Sequence, residues 1–138
     1  MAEAYLKKRL KDAGKEGITI SSAGIAPHPG MSATDEAREV VKKEGADLLE
    51  HRARRLTELE TREADLIFVM EDLQRIYILK KDPSAAKKIY LLKDFQKIGD
   101  FKLSRDPNIP DPIGKDMDFY KKTFDVIKES VERILNEI

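Results

Sequence analysis

Asp65-Leu66-Ile67-Phe68-Val69-Met70 is the stretch whose reading decides the fold of this chain. One acid opens it, and five apolar residues follow without a polar break. That is far too short to cross a membrane and short for an independent helix. A strand with one face in water would alternate apolar and polar side chains. An unbroken run reads instead as a strand covered on both faces, which is the habit of parallel sheets inside α/β folds. A parallel neighbour needs a crossover, and residues 71–81 provide a helical one. It has to end before Pro83, because the residue preceding a proline is pushed out of the α region. Lys88-Ile89-Tyr90-Leu91-Leu92 then reads as the next strand.

The same alternation continues outward. Residues 2–14 read as an amphipathic helix with Ala4, Leu6 and Leu10 on one side, ended by Gly14 and Gly17. Ile18-Thr19-Ile20-Ser21-Ser22 is rich in β-branched residues and reads as a third strand. A loop rich in glycine and proline follows, and Ser32 is placed to cap a helix, with Asp35 three residues on. That helix points Ala37, Val40 and Val41 inward and stops at Gly45. Thr57 and Glu60 form a second capping signature, for a short helix. Near the carboxyl end, apolar residues fall at Tyr120, Phe124, Ile127, Val131, Ile134 and Ile138, alternating steps of four and three along one helical face. Strands alternating with helices predict an α/β fold: a parallel sheet with helices on both faces. About three strands can be found.

A length of 138 residues predicts a single domain over 1–138. Charged residues make up 38% of the chain, well above the usual quarter, yet 26 basic and 26 acidic residues cancel. A neutral chain offers no field to steer nucleic acid or an anionic membrane, so neither is expected as a partner. Dense, interleaved Lys and Glu suggest adaptation to heat. There is no cysteine, which excludes disulfides, thiolate zinc sites and a cysteine nucleophile within these residues. His28 and His51 are the only histidines, and Asp94 and Asp100 have no metal-ligand spacing, so no metal or other cofactor is expected. His28 reads as a solvated loop residue, and Tyr77 and Tyr90 as packing residues in apolar stretches. With no apolar run of membrane length and no signal-peptide pattern, the cytoplasm is the expected compartment.

On the residues alone, Asp111 in Pro110-Asp111-Pro112-Ile113-Gly114 reads as a turn aspartate. A wider pattern gives it another reading. The chain opens Met1-Ala2-Glu3-Ala4. Ser22-Ala23-Gly24 follows, then His51-Arg52-Ala53-Arg54 with Leu56-Thr57. Next come Ala64-Asp65-Leu66-Ile67 with Met70, and finally the Asp111 segment ahead of the helix bearing Tyr120. Taken in order, these resemble the low-molecular-weight protein-tyrosine phosphatases, including the bacterial arginine phosphatases, along the whole chain. Thioredoxin-linked arsenate reductases share similar opening motifs but use further cysteines in the body of the chain.

The resemblance implies a three-layer, flavodoxin-like fold and hydrolysis of protein phosphotyrosine or phosphoarginine through a cysteinyl-phosphate. It implies Asp111 as general acid and base, Ile113 as a substrate-pocket wall, and Ser22 and His51 as residues that steady the phosphate loop. Tyrosine-specific relatives often carry an aromatic where Ile113 stands, so a slimmer phosphoarginine remains open. Family members begin with a strand and a Cys-x5-Arg loop just before the Met-Ala-Glu-Ala motif. This chain starts at that methionine. It is therefore expected to lack the central strand, the nucleophile and the phosphate-clamping arginine, and to be inactive as written. The alternative is a non-enzymatic phosphate-binding or interaction module, a pseudophosphatase.

A buried strand of that kind carries roughly four large apolar side chains, on the order of 6–12 kcal/mol. Total domain stability is about 5–15 kcal/mol. Compensation is expected, either by residues 18–22 closing against residues 65–69 or by a homodimer formed through strand exchange or sheet pairing.

Overall fold

The computed structural model describes residues 1–95 and 105–138; Asp100 lies outside them. In chain order the elements are α1 (Ala2–Asp12), α2 (Asp35–Lys42), α3 (Glu58–Glu63), β1 (Ile67–Val69), α4 (Asp72–Lys81), β2 (Ile89–Leu91) and α5 (Met117–Glu137). Short 3-10 turns at Pro83–Lys87 and Leu92–Asp94 flank β2.

β1 and β2 pair in parallel, with Ile67 opposite Ile89, Phe68 opposite Tyr90 and Val69 opposite Leu91. The unbroken apolar run has the consequence expected of it, because alternate side chains leave a strand on opposite faces. Val69 belongs to a small cluster with Ile78, Ala85 and Ile89, and Ile67 packs against it. Phe68 and Met70 pack on the other side, against the main core built from α1, α2 and α5. The fold is thus α/β, a small parallel sheet with helices on both faces. Phe95 closes one side edge-on to both Phe68 and Tyr90, at centroid separations of 4.8 and 5.2 Å.

The main core is set by α5. Tyr120, Phe124, Ile127, Val131 and Ile134 are all buried, as their spacing predicts. α1 lies against this face: the Tyr5 ring meets Phe124 edge-on at 5.6 Å. At the rim, Arg9 donates from Nε (2.7 Å) and Nη2 (3.0 Å) to the Glu132 carboxylate, which also accepts the Tyr5 hydroxyl at 3.0 Å. α2 joins through buried Ala37, Val40 and Val41, and through the Thr34 hydroxyl on Tyr120 Oη at 3.0 Å. Gly45 ends the turn after α2 with φ of +75°, and a Cβ there would fall 2.7 Å from Lys8 Cε. The positive φ favours glycine, and any side chain there would also have to push the Lys8 side chain aside.

Two local expectations are corrected. Thr34, not Ser32, caps α2, accepting the Ala37 N–H at 3.3 Å. Ser32 instead bridges antiparallel to Arg52, while Gly30 N–H and Ala53 N–H cross-bond to Ala53 and Met31 carbonyls at 2.8 Å. That pairing takes the chain through residue 32 and moves the helix start two residues on. Residues 18–22 form no strand. Among the described residues β1 pairs only with β2, and the backbone of residues 18–23 finds no hydrogen-bond partner. Nor do residues 18–22 close against residues 65–69. β-branched side chains favour an extended backbone, but a strand exists only where a ladder satisfies its N–H and C=O groups. These residues lie mostly exposed, where water can do so. The Thr57–Glu60 capping box, by contrast, forms as read, and needs only neighbours three residues apart.

Candidate functional site

Two loops bring the singled-out residues into place, and they form two separate groups. The first surrounds an open cleft of about 340 Å³ lined by α1, residues 21–22 and residues 47–54. Its walls are fixed by backbone stitching. Gly24 N–H donates to Arg54 O and Leu56 N–H to Gly24 O, both at 2.9 Å, so the chain after Ser22 is tied to the chain after His51. Arg52 reinforces the turn, donating from Nη1 to the carbonyls of Leu49 (3.0 Å) and His51 (2.8 Å). Arg54 pairs with Glu60. Arg52 and Arg54 therefore brace this wall.

Ser22 and His51 meet over Glu3. The Ser22 hydroxyl donates to Glu3 Oε2, His51 Nδ1 stands 3.8 Å from the same oxygen, and Lys7 bonds the other carboxylate oxygen from the next turn of α1. Glu3 is the residue sequence reading passed over. Within Met-Ala-Glu-Ala its one local signal is the spacing of four from Glu3 to Lys7. Burial works to raise the Glu3 pKa, but the bonds from Lys7 and Ser22 and the charges of Lys7 and His51 prevail and hold it below its ordinary value. Burial lowers the His51 pKa, against the pull of Glu3. The Met1 amino group beside it is likewise lowered by burial.

These shifts share one sign. A histidine with a depressed folded pKa takes up its proton more readily when unfolded, so stability falls as pH drops below 6.5. A carboxylate with a depressed folded pKa contributes stability that is present above 4.5 and is lost as pH falls through its folded value. Urea midpoints are therefore expected to decline as pH falls from neutrality toward 5, and His51→Gln should flatten the part of that decline just below pH 6.5. Identical slopes for the two proteins between pH 7 and 5 would refute the assignment to His51.

The second group lies at the carboxyl end of β1, where open α/β sheets place their ligand crevices. Ile109 is buried and donates its N–H to Met70 O at 2.8 Å, just past β1. Pro110 follows, then exposed Asp111, whose Oδ1 accepts the Ile113 N–H at 3.0 Å. Lys115 N–H closes the turn on Pro112 O at 2.9 Å, and Gly114 sits at φ of +77°. Asp111 thus forms the side-chain turn its residue type favours and still presents its carboxylate to solvent. Ile113 is 56% exposed beside it. Neither lines the cleft around Glu3. His28 is an exposed loop residue, Tyr77 is half-buried and Tyr90 exposed. No group of three metal-ligating side chains occurs among the described residues, and no helix there is long and apolar enough to cross a membrane.

A parallel pair between two helical layers, with a proline-flanked aspartate near the carboxyl end of β1, defines an α/β protein that presents an exposed carboxylate where such folds place their ligand crevices. The chain belongs to the low molecular weight phosphotyrosine protein phosphatase family, whose sequence model matches residues 1–138. It is 30% identical over 132 residues to the probable low molecular weight protein-tyrosine-phosphatase EpsP of Ralstonia nicotianae, covering 96% of this chain and 81% of that one. It is 27% identical over 138 residues to a protein-arginine-phosphatase of Bacillus subtilis, covering all of this chain and 87% of the other. Among solved structures, the low molecular weight protein tyrosine phosphatase from T. tengcongensis superposes with a TM-score of 0.86 at 32% identity. That match covers 99% of this chain and 88% of the other.

Proposed function

We propose that residues 1–138 are the body of a protein-tyrosine or protein-arginine phosphatase, holding its acid/base aspartate but no nucleophile, and that they do not turn over by themselves. The carrying observation is compositional: the chain holds no cysteine. In the reaction as the family performs it, a cysteine thiolate forms the S–P bond as the bond from phosphorus to the leaving oxygen or nitrogen breaks. Asp111 gives its proton to that leaving atom. Water then attacks phosphorus, yields a proton to Asp111, and the S–P bond breaks to release phosphate and thiolate. The exposed carboxylate on a short, anchored turn supports this role for Asp111. Ser22 and His51, gathered on Glu3, would steady the phosphate-binding loop. Ile113 supplies an aliphatic wall, compatible with phosphoarginine as well as phosphotyrosine. The substrate is a phosphorylated protein and the compartment the cytoplasm.

The test is hydrolysis of aryl phosphates by the purified chain, with and without a Cys-x5-Arg segment joined ahead of it. The absent nucleophile also favours a second reading, a pseudophosphatase that binds phosphate without chemistry; failure of the joined protein to turn over would favour it. A homodimer belongs to the same proposal. Among the described residues the backbone of residues 18–23 is unpaired and β1 pairs on one side only, and a second copy could cover these edges. Sedimentation equilibrium showing only monomer at high micromolar concentration would remove the dimer.

A further inference from the structure

The loop that carries Asp111 is held at its entrance by a side chain to which nothing above gives a role. α4 opens directly after β1, and the first N–H groups of a helix have no partner within it. Two side chains serve this junction. Gln74 Oε1 accepts the N–H groups of Met70 (2.9 Å) and Glu71 (3.1 Å) from within α4. Asn108, 36 residues further along the chain, accepts the Asp72 N–H on Oδ1 at 2.8 Å. The next residue, Ile109, is 3% exposed and donates its N–H to Met70 O at 2.8 Å. Two consecutive residues are therefore fastened to the β1–α4 junction, one by side chain and one by backbone.

Only Pro110 separates this double fastening from Asp111, and its ring fixes φ. The chain between the clamp and the carboxylate has little freedom of its own. Upstream, Asp106 Oδ1 accepts the Asn108 N–H at 3.0 Å, and Lys93 holds the Asp106 carbonyl at 2.6 Å. The loop is clamped at its near end, and its tip is closed by the Asp111 and Pro112 turn bonds.

We infer that Asn108 is a positioning residue: its bond to the first turn of α4 sets where the Asp111 carboxylate stands at the carboxyl end of β1. The inference deepens the reading of Asp111 as acid and base, and its functional meaning rests on that reading. The placement itself can be measured in a chain that performs no turnover.

A plain helix cap would affect Asp72 and α4 and leave the Asp111 turn alone. A positioning residue must also govern the turn. NMR backbone order parameters of the 138-residue chain separate the two. In the wild-type chain Asp111 and Ile113 are expected near the rigid value of about 0.85, and in Asn108→Ala both are expected to fall below about 0.6. Exchange of the Asp72 amide should quicken by about tenfold, as loss of one bond predicts. Asn108→Asp keeps the accepting oxygen and is expected to restore both readings. If Asp72 exchange quickens while Asp111 and Ile113 stay at their wild-type order parameters, Asn108 only caps α4 and the inference is overturned. Should Asn108→Ala unfold, Asn108→Ser compared with Asn108→Asp decides on the same two amides. Turnover in the Cys-x5-Arg fusion tests whether Asp111 is the acid, so the two ideas can fail separately.

Discussion

Joined behind a strand and a Cys-x5-Arg loop, residues 1–138 are expected to hydrolyse phenyl phosphate, and Asp111→Asn in that fusion is expected to lower kcat by about 10²- to 10⁴-fold. The bare chain is expected to give only the background rate, since no thiol is present to accept the phosphoryl group. The size of the aspartate effect follows from the leaving group. A phenolate of pKa about 10 leaves poorly at neutral pH, so protonating it in the transition state has much to contribute. Nitrophenolate is more acidic and needs less help. The Asp111→Asn defect should therefore shrink when p-nitrophenyl phosphate replaces phenyl phosphate, with KM changing little. A variant equally active on phenyl phosphate would show that Asp111 is a turn residue and no more. Enzymatic turnover by the sequence-verified bare chain would overturn the proposed function itself.

The largest effect on stability is expected at Phe124. It is 3% exposed and is the ring on which α1 docks through Tyr5. Truncating a buried phenylalanine removes its transfer free energy and leaves a cavity, together about 3–5 kcal/mol. The whole domain is worth about 5–15 kcal/mol, so Phe124→Ala should shift the urea midpoint far toward zero or leave the chain unfolded. Leu73 is the control. It is 74% exposed on α4, and Leu73→Ala should stay within about 0.5 kcal/mol of the parent. Equal midpoints for Phe124→Ala and Leu73→Ala would mean that the α1–α5 contact does not hold the core.

The two expectations bear on different parts of one arrangement. α5 and α1 build the platform; the β1–α4 junction holds the loop that presents Asp111. Asp111 stands on a loop whose first residues reach back to Met70 and Asp72. A loss at Phe124 should therefore lower stability without selectively loosening the Asp111 turn, whereas a loss at Asn108 should loosen that turn at a smaller cost in stability, about 1 kcal/mol.

How much of this was legible in the sequence follows the range of the forces involved. The α5 stripe, the Thr57–Glu60 cap and the β1 run were read correctly, because spacing of three, four or two residues along one element fixes which side chains share a face. Residues 18–22 form no strand despite their β-branched composition, and α2 is capped by Thr34, two residues beyond Ser32. In both cases a distant partner decided: Arg52 takes Ser32, and no neighbour among the described residues takes residues 18–22. Within the candidate site, Asp111 and Ile113 were visible because proline and glycine punctuate the turn around them. Glu3 and Asn108 were not, because their partners Ser22, His51 and Asp72 lie 19 or more residues away.

The sequence by itself determined that strand and helix alternate from residue 67 onward, that one strand is covered on both faces, and that the chain contains no thiol. Those are matters of local periodicity and of composition, and no folding is needed to decide them. Only the tertiary structure decided that Glu3 gathers Ser22 and His51, that residues 18–22 stay outside the sheet, and that Asn108 fastens the Asp111 loop to α4. Hydrogen bonds between residues remote in the chain form only once packing has fixed both ends, and no spacing rule records them in advance.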